Sequence, residues 1–502
     1  MLWLAVDLPL LPLQALPWPS QPGLEAAATL PLAVVEHRRV LAANRCAHGL
    51  GVSPGANLAA ALALAPTLQV RERSPQQESA CVERLALALG ALSPRLYLQA
   101  SGVLVEVQGS LRLFGGIRRL LWRAQELVES CGLHPVMALA PTAGAAWLLA
   151  GQGAGRRRSL HASSMVRLLD ALPAQRLARL LELTPQQQDL LQMLGCDRLG
   201  ELRALPRAGL RKRIGAPLVD ALARAYGEAP DPRTWFEPPE RFSLEVELPH
   251  RADDAHALEA ALAPLLQALV GWLHLRWQAA SVLRLRLVHD GGRHARPDTE
   301  LRLQLGAPVR DAAHLALLWR ERLQRQALAA PVYRLGLALD ESVQHAGVAG
   351  ELLPSVTQDA QARSALLDRL RARLGAERVR RLEPLADHRP ERAQRWVEAT
   401  LAAVPARTST GTTAPPRPLW LLDPPQPLAL DAQERPLLDG GALHLLSRAE
   451  RIEAGWFDGA PVRRDYHVAF TARHRLCWVY RERRDVVASA RNGGWFLHGW
   501  FA

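Results

Sequence analysis

Val282-Leu283-Arg284-Leu285-Arg286-Leu287 alternates leucine with arginine from Leu283 onward, and Leu301-Arg302-Leu303-Gln304-Leu305 repeats the pattern. A period of two marks a strand with one buried and one solvated face. Helical apolar spacing lies on either side of this pair, at Ala255–Leu273 and Ala312–Leu328. Further strands are expected from about 242 and at Val332–Leu339. The order is strand, helix, strand, strand, helix, strand, a β-α-β-β-α-β unit over residues 242–340. Its leucines face the two amphipathic helices, and Arg284, Arg286 and Arg302 face the other side.

Upstream, Ala229-Pro230-Asp231-Pro232 and Pro238-Pro239 read as a stiff linker. From Met165 to Tyr226 the pattern is short helices punctuated by Pro and Gly, and Gly151–Ser159 reads as an exposed joint. The first 155 residues or so form an α+β unit. Residues 2–7 are a buried strand, not a signal peptide, because no basic segment precedes them and an acid falls at Asp7. A hairpin is expected at Leu32–Glu36 and Val40–Ala43, a strand pair at Leu96–Val107 around Ser101-Gly102, and a strand and helix at Val136–Leu139 and Thr142–Ala150. Downstream come a charged helix at Ala360–Leu374, a linker-like stretch at Arg407–Pro418 and an aromatic-rich segment, Leu443–Ala502, expected as a small β-domain.

The 502 residues suffice for three or four domains. A net charge of +12 and a pI near 10.5 point to a polyanionic partner, nucleic acid before membrane. The basic residues are arginine almost throughout, as a GC-rich genome favours, and Lys212 is the one lysine. No run of 18 purely apolar residues reads as a membrane span. The five cysteines are scattered with no C-x-x-C pair or zinc spacing, and read as idle thiols in a reducing cytoplasm. There is no P-loop and no G-x-G-x-x-G after a strand, which excludes a P-loop ATPase and a dinucleotide enzyme.

An α+β unit, a helical unit and a β-α-β-β-α-β unit, in that order, resemble the Y-family DNA polymerases: palm with fingers, thumb, little finger. Ala42-Ala43-Asn44-Arg45-Cys46-Ala47-His48-Gly49-Leu50-Gly51-Val52-Ser53-Pro54-Gly55 is similar to the family's fingers segment, and Leu113-Phe114-Gly115-Gly116 with Ala138–Ala150 to its palm. Leu194–Leu202 looks like a thumb helix-hairpin-helix element. Pro418-Leu419-Trp420-Leu421-Leu422 and the blocks Glu450–Gly459, Arg463–Tyr466, Trp478–Arg483 and Trp495–Ala502 resemble the ImuB branch of that family. The resemblance implies palm and fingers over 1–160 (fingers about 32–75), thumb over 161–235 and little finger over 236–345. It further implies a clamp-proximal helical segment over 346–406, a linker over 407–442 and a partner-binding domain over 443–502.

The resemblance also implies a silent active site. Transfer by two metals needs clustered carboxylates holding ions about 3.5–4 Å apart. Asp7 matches the family's first Asp, but Ser101 and Gly102 stand where it has its Asp-Glu pair. Glu106 shares a strand face with Gly102 but lies about 13 Å further along, too far to share ions. The triphosphate-contacting Tyr and Arg fall at Arg45 and His48, the sugar-screening aromatic at Pro12, and the palm-helix lysine near Ala143. The expectation is therefore a non-enzyme with no metal or cofactor, Asp7 being vestigial; the alternative is an active Y-family translesion polymerase.

For DNA, the expected contacts are Arg198, Arg207, Arg211, Lys212 and Arg213 in the thumb and Arg284, Arg286 and Arg302 on the little-finger sheet. The plain reading of the sheet pattern is a solvated face. The resemblance suggests that Leu352 and Leu353 engage a sliding clamp, and that Trp456, Trp478, Trp495 and Trp500 supply partner contacts as well as core. It implies damaged or primer-template DNA, the clamp, an error-prone C-family polymerase and a RecA-like accessory protein as partners. The implied setting is SOS mutagenesis in the cytoplasm at the nucleoid.

Overall fold

The computed structural model describes residues 1–16, 30–151, 157–181, 185–289, 296–345, 356–399, 417–483 and 494–501. The chain divides into two compact units, Met1–Arg373 and Leu374–Ala502.

The first unit opens with β1 (Trp3–Asp7) and a one-turn helix α1 (Leu11–Gln14). A small three-stranded sheet follows, made of β2 (Leu32–Glu36), β3 (Arg39–Ala43) and β4 (Gln69–Glu72), with α2 (Arg45–Gly49) and α3 (Leu58–Leu64) packed on it. The chain returns through α4 (Pro75–Leu89), β5 (Leu96–Gln99), β6 (Gly102–Glu106), α5 (Ile117–Ser130), β7 (Val136–Ala140), α6 (Ala143–Ala150) and β8 (Arg157–Arg158). The larger sheet runs β5-β6-β1-β7-β8, so β1 is its centre. Because side chains alternate along a strand, Leu2, Leu4 and Val6 pack under α4 and α5, while Trp3 and Ala5 pack under α6. Asp7 has the parity of Trp3 and Ala5.

Alpha-helices and one 3₁₀ turn make the next layer: α7 (Ala162–Asp170), the 3₁₀ turn Ala174–Arg179, α8 (Pro185–Met193), α9 (Leu199–Ala204), α10 (Arg207–Ile214) and α11 (Ala216–Ala225). They share one core with α6, every residue of which is buried. The Thr142 hydroxyl caps α6 and also donates to the Ala225 carbonyl at 2.6 Å, fastening α11 to it. The expected hairpin at Leu194–Leu202 is the α8–α9 junction. A second tight junction joins α10 to α11 through Gly215, whose φ of 104° suits glycine.

The residues expected as a stiff linker are laid against the palm edge. Phe236 N–H donates to the Leu96 carbonyl at 2.8 Å, and Trp235 stacks on Trp3 with centroids 5.8 Å apart. Then come β9 (Ser243–Ala252), α12 (Ala255–Leu275), β10 (Gln278–His289), β11 (Thr299–Val309), α13 (Ala312–Gln324) and β12 (Val332–Gln344), with sheet order β11-β10-β12-β9. The β-α-β-β-α-β order is that expected. By length and composition α12 could cross a membrane, yet its leucines bury themselves against this sheet and α4. Helix α14 (Val356–Leu374) is held on edge strand β11, where Gly306 N–H donates to the buried Asp368 carboxylate at 2.7 Å.

The second unit begins with a hairpin of β13 (Arg380–Pro384) and β14 (Gln394–Glu398), inside the segment expected to be helical. Pro384 and Pro390 bar a continuous helix here, and Arg380–Pro384 pairs with Gln394–Glu398 instead. β15 (Trp420–Leu430) lies within the expected linker; its pairing with the last strand shifts register between Leu421 and Gln426, where the prolines fall. It joins β16 (Pro436–Leu438), β17 (Gly441–Ala442), β18 (His444–Leu445), β19 (Glu450–Ala454), β20 (Val462–Phe470), β21 (Leu476–Glu482) and β22 (Trp495–Trp500) in one eight-stranded sheet. Apolar clusters cover both of its faces. The chain is thus a mixed α+β multidomain protein with a β-rich C-terminal unit.

Candidate functional site: the palm carboxylate and the basic surfaces

Asp7 ends β1 directly opposite Gly102 of β6. It is wholly buried. The Ser101 hydroxyl donates to Asp7 Oδ1 at 2.8 Å, and Arg179 of the 3₁₀ turn brings Nη2 to 2.7 Å from Oδ2. The latter is an ion pair whose N–H directions do not line up as a hydrogen bond. Gly102 has no room for any side chain, since a Cβ there would lie 2.1 Å from the Val6 carbonyl oxygen. Glu106 sits at the far end of the ladder, opposite Trp3, with Arg95 3.6 Å away.

The donor set does not fit a divalent ion. One carboxylate, one neutral hydroxyl and a guanidinium on the remaining oxygen leave no cage of anionic oxygens. Among the described residues, no three His, Cys, Asp or Glu side chains come together to hold a metal. Arg45 and His48 are exposed on α2, Pro12 is half-buried, and Ala143 is buried at the start of α6.

In the thumb, α10 carries Arg207, Arg211, Lys212 and Arg213, all exposed. The last three occupy its final turn, next to the Gly215 junction, and complement the negative end of the helix. Arg207 pairs with Glu228 and Arg211 with Asp220. Arg198 is exposed just before α9. Among the described residues, no carboxylate pairs with Lys212, Arg213 or the Arg198 guanidinium.

On the little-finger sheet, Arg284, Arg286 and Arg302 point to solvent while Leu283, Leu285 and Leu287 are buried. Arg284 lies opposite Arg302, yet each arginine has a carboxylate. Arg284 donates to Asp340 at 3.0 Å, Arg286 pairs with Asp298 at 2.6 Å, and Arg302 with Glu341 at 3.3 Å. The Asp298 hydrogen bond pushes the Arg286 guanidinium further up from its ordinary range. This face is a mixed-charge lattice, and a phosphate must compete with carboxylates to use it.

Of the four tryptophans expected at partner contacts, Trp478 and Trp495 are buried in the C-terminal unit and Trp500 is half-buried beneath Arg475. Trp478 and Trp495 are buried because apolar clusters cover both faces of this sheet, Trp478 belonging to one cluster and Trp495 to the other. Trp456 is 73% exposed and its neighbour Phe457 71%. Both stand on the loop between β19 and β20. That loop is fixed from beneath by buried Arg389, which donates to both Asp458 oxygens at 2.6 and 3.1 Å, to the Ala460 carbonyl at 3.1 Å and to Asp387. The Arg389 hydrogen bond pulls the Asp387 carboxyl down to about 2. Trp396 and Trp420 are also exposed. Sequence reasoning did not name Phe457, Trp396, Trp420 or Arg179 as site residues; the Glu450–Gly459 block offered a signal for Phe457 and the Pro418–Leu422 block one for Trp420. Leu352 and Leu353 lie outside the described residues.

The sequence profile of the impB/mucB/samB family matches residues 20–151. Protein ImuB of Caulobacter vibrioides, from strains NA1000 and CB 15 alike, is 27% identical over 488 residues, spanning 90% of this chain and all of that protein. Among solved structures, a Y-family DNA polymerase chimera built on Dbh aligns with TM-score 0.38 and 16% identity, over 68% of this chain and 98% of its own. DinB from Sulfolobus solfataricus aligns with TM-score 0.36 and 16% identity, over 69% of this chain and all of its own. Over nine-tenths of its length the chain is thus similar to protein ImuB, and within that span residues 20–151 carry the impB/mucB/samB match.

Proposed function

We propose that this protein is a non-catalytic DNA-binding scaffold of error-prone translesion synthesis. It holds damaged primer-template DNA and brings a separate polymerase and the sliding clamp to it. The observation that carries this reading is the state of Asp7: buried, flanked by Ser101 and Gly102, and paired with Arg179. A palm with no anionic cage cannot hold the ions that nucleotidyl transfer needs.

Lys212, Arg213 and Arg198, which have no carboxylate partner among the described residues, supply a sequence-independent grip on phosphates. Arg284, Arg286 and Arg302 act as a second, weaker contact, because each must leave a carboxylate. The exposed Trp456 on its braced loop is the partner contact, since a rigid aromatic loses little freedom on binding. The partners on this reading are an error-prone C-family polymerase and a RecA-like accessory protein, with Leu352 and Leu353 meeting the clamp.

The test is lesion bypass by the C-family polymerase of the same organism, with and without this chain. Bypass that rises on adding the wild type, rises equally with Asp7→Asn and fails with Trp456→Ala supports the scaffold. Stimulation that disappears with Asp7→Asn, in a variant that still folds and binds DNA, overturns it.

A further inference from the structure

A buried carboxylate needs a counter-charge, and Asp7 finds one on an element remote in sequence. The Arg179 guanidinium that meets it also lies over the Trp147 ring, 5.0 Å from its centroid. Trp147 Nε1 in turn donates to the Arg179 carbonyl at 3.1 Å. Helix α6 thus fixes both the backbone and the side chain of Arg179. Gly151 at the end of α6 leaves the passage open: a Cβ there would lie 2.7 Å from Arg179 Nε and 2.5 Å from Arg176 Nη1. Arg176 donates to the Gly151 carbonyl, so two arginines of one 3₁₀ turn cross the end of the helix side by side.

We propose that Arg179 takes the place of the divalent cation. It is a covalently tethered positive charge that neutralises Asp7 and fastens the thumb to the palm. Three features favour a guanidinium over an ion at this point. Among the described residues Asp7 is the single carboxylate at this point, and the Ser101 hydroxyl already occupies its other oxygen. The position opposite, Gly102, admits no donor side chain. An arginine remains charged throughout the accessible pH range and cannot dissociate as a bound ion can. Asp7 is on this account a positioning residue of the thumb, and the inference stands whether or not the protein acts as a scaffold.

The test uses the full-length chain with Asp7→Asn, Arg179→Gln, the double variant and Arg179→Lys. Hydrogen exchange is followed over residues 162–179, and free Mn²⁺ is read by electron paramagnetic resonance at millimolar metal. Each single neutral variant should raise exchange there about tenfold, and the double should exceed Arg179→Gln by less than twofold. Arg179→Lys should recover most of the protection, and the wild type should leave the free Mn²⁺ signal unchanged. Fully additive effects overturn the proposal, as do unchanged exchange in Arg179→Gln or stoichiometric Mn²⁺ binding lost in Asp7→Asn. If Asp7→Asn does not fold, the contrast between Arg179→Gln and Arg179→Lys decides, equal loss of protection in both counting against the pair.

Discussion

Gly102 stands opposite Asp7 in the ladder between β1 and β6, and an alanine there would place its Cβ 2.1 Å from the Val6 carbonyl oxygen and 3.1 Å from the Asp7 Cα. An ordinary carbon–oxygen contact is about 3.3 Å, so the two strands must part by roughly 1.2 Å at this point. The obstacle is backbone at the centre of the sheet, which no rotamer change relieves. Overpacking of this kind costs about 1–3 kcal/mol. Stretching a ladder bond beside it, such as Leu8 N–H to the Ser101 carbonyl at 2.8 Å, adds about 1 kcal/mol. A total of about 3 kcal/mol lowers Tm by roughly 5 °C in a unit of this size. Differential scanning calorimetry of Gly102→Ala should show that shift, whereas Gly109→Ala, with nothing within 4 Å of the added Cβ, serves as the neutral control. Gly102→Glu should be at least as destabilising and gain no nucleotide incorporation, because the backbone excludes the side chain. A Gly102→Ala protein as stable as the Gly109→Ala control would refute the reasoning.

The two basic surfaces should respond differently to neutralisation. Lys212→Ala with Arg213→Ala should reduce the slope of log K against log salt by about 1.8, and Arg284→Ala with Arg286→Ala by clearly less; equal losses in a fluorescence-anisotropy titration would contradict the role given to Asp298 and Asp340. Trp456→Ala should leave Tm within about 1 °C of wild type while weakening partner capture, whereas Trp478→Ala should cost about 3–5 kcal/mol, because Trp478 is buried against Tyr466 with centroids 4.0 Å apart. Burial pushes His498 down to about 4, so the unfolded chain, with its histidine near about 6.5, binds the extra proton between these values. The His498 contribution is therefore complete above about pH 6.5 and is lost as pH falls towards 4, by roughly 3 kcal/mol at most. The decline in the C-terminal unit's Tm over that window should flatten in His498→Gln, and an unchanged decline would contradict the assignment.

Local patterns carried the fold, and contacts between distant segments were hidden. The leucine–arginine alternation at 283–287 specifies a half-buried strand wherever it pairs, so the little-finger unit was legible. The same alternation says nothing about which strands flank it. Asp340 on β12 and Asp298 beside β11 reach Arg284 and Arg286 only once register is set. Asp7 without an acidic pair at Ser101-Gly102 was readable, but its Arg179 partner was not, because nothing near residue 179 encodes a contact with β1. Among the tryptophans, Trp478 and Trp495 are buried in two separate clusters of a sheet covered on both faces, so no simple alternation marks them as core. Trp456 is exposed because it tops a turn that Arg389 braces, a contact invisible along the chain.

The most direct test of the central claim is primer extension by the purified protein with Mg²⁺ or Mn²⁺ and all four dNTPs, paired with primer-template binding on the same preparation. Salt-sensitive binding with no extension in either metal is the result this account predicts. Extension that is abolished by Asp7→Ala would contradict it.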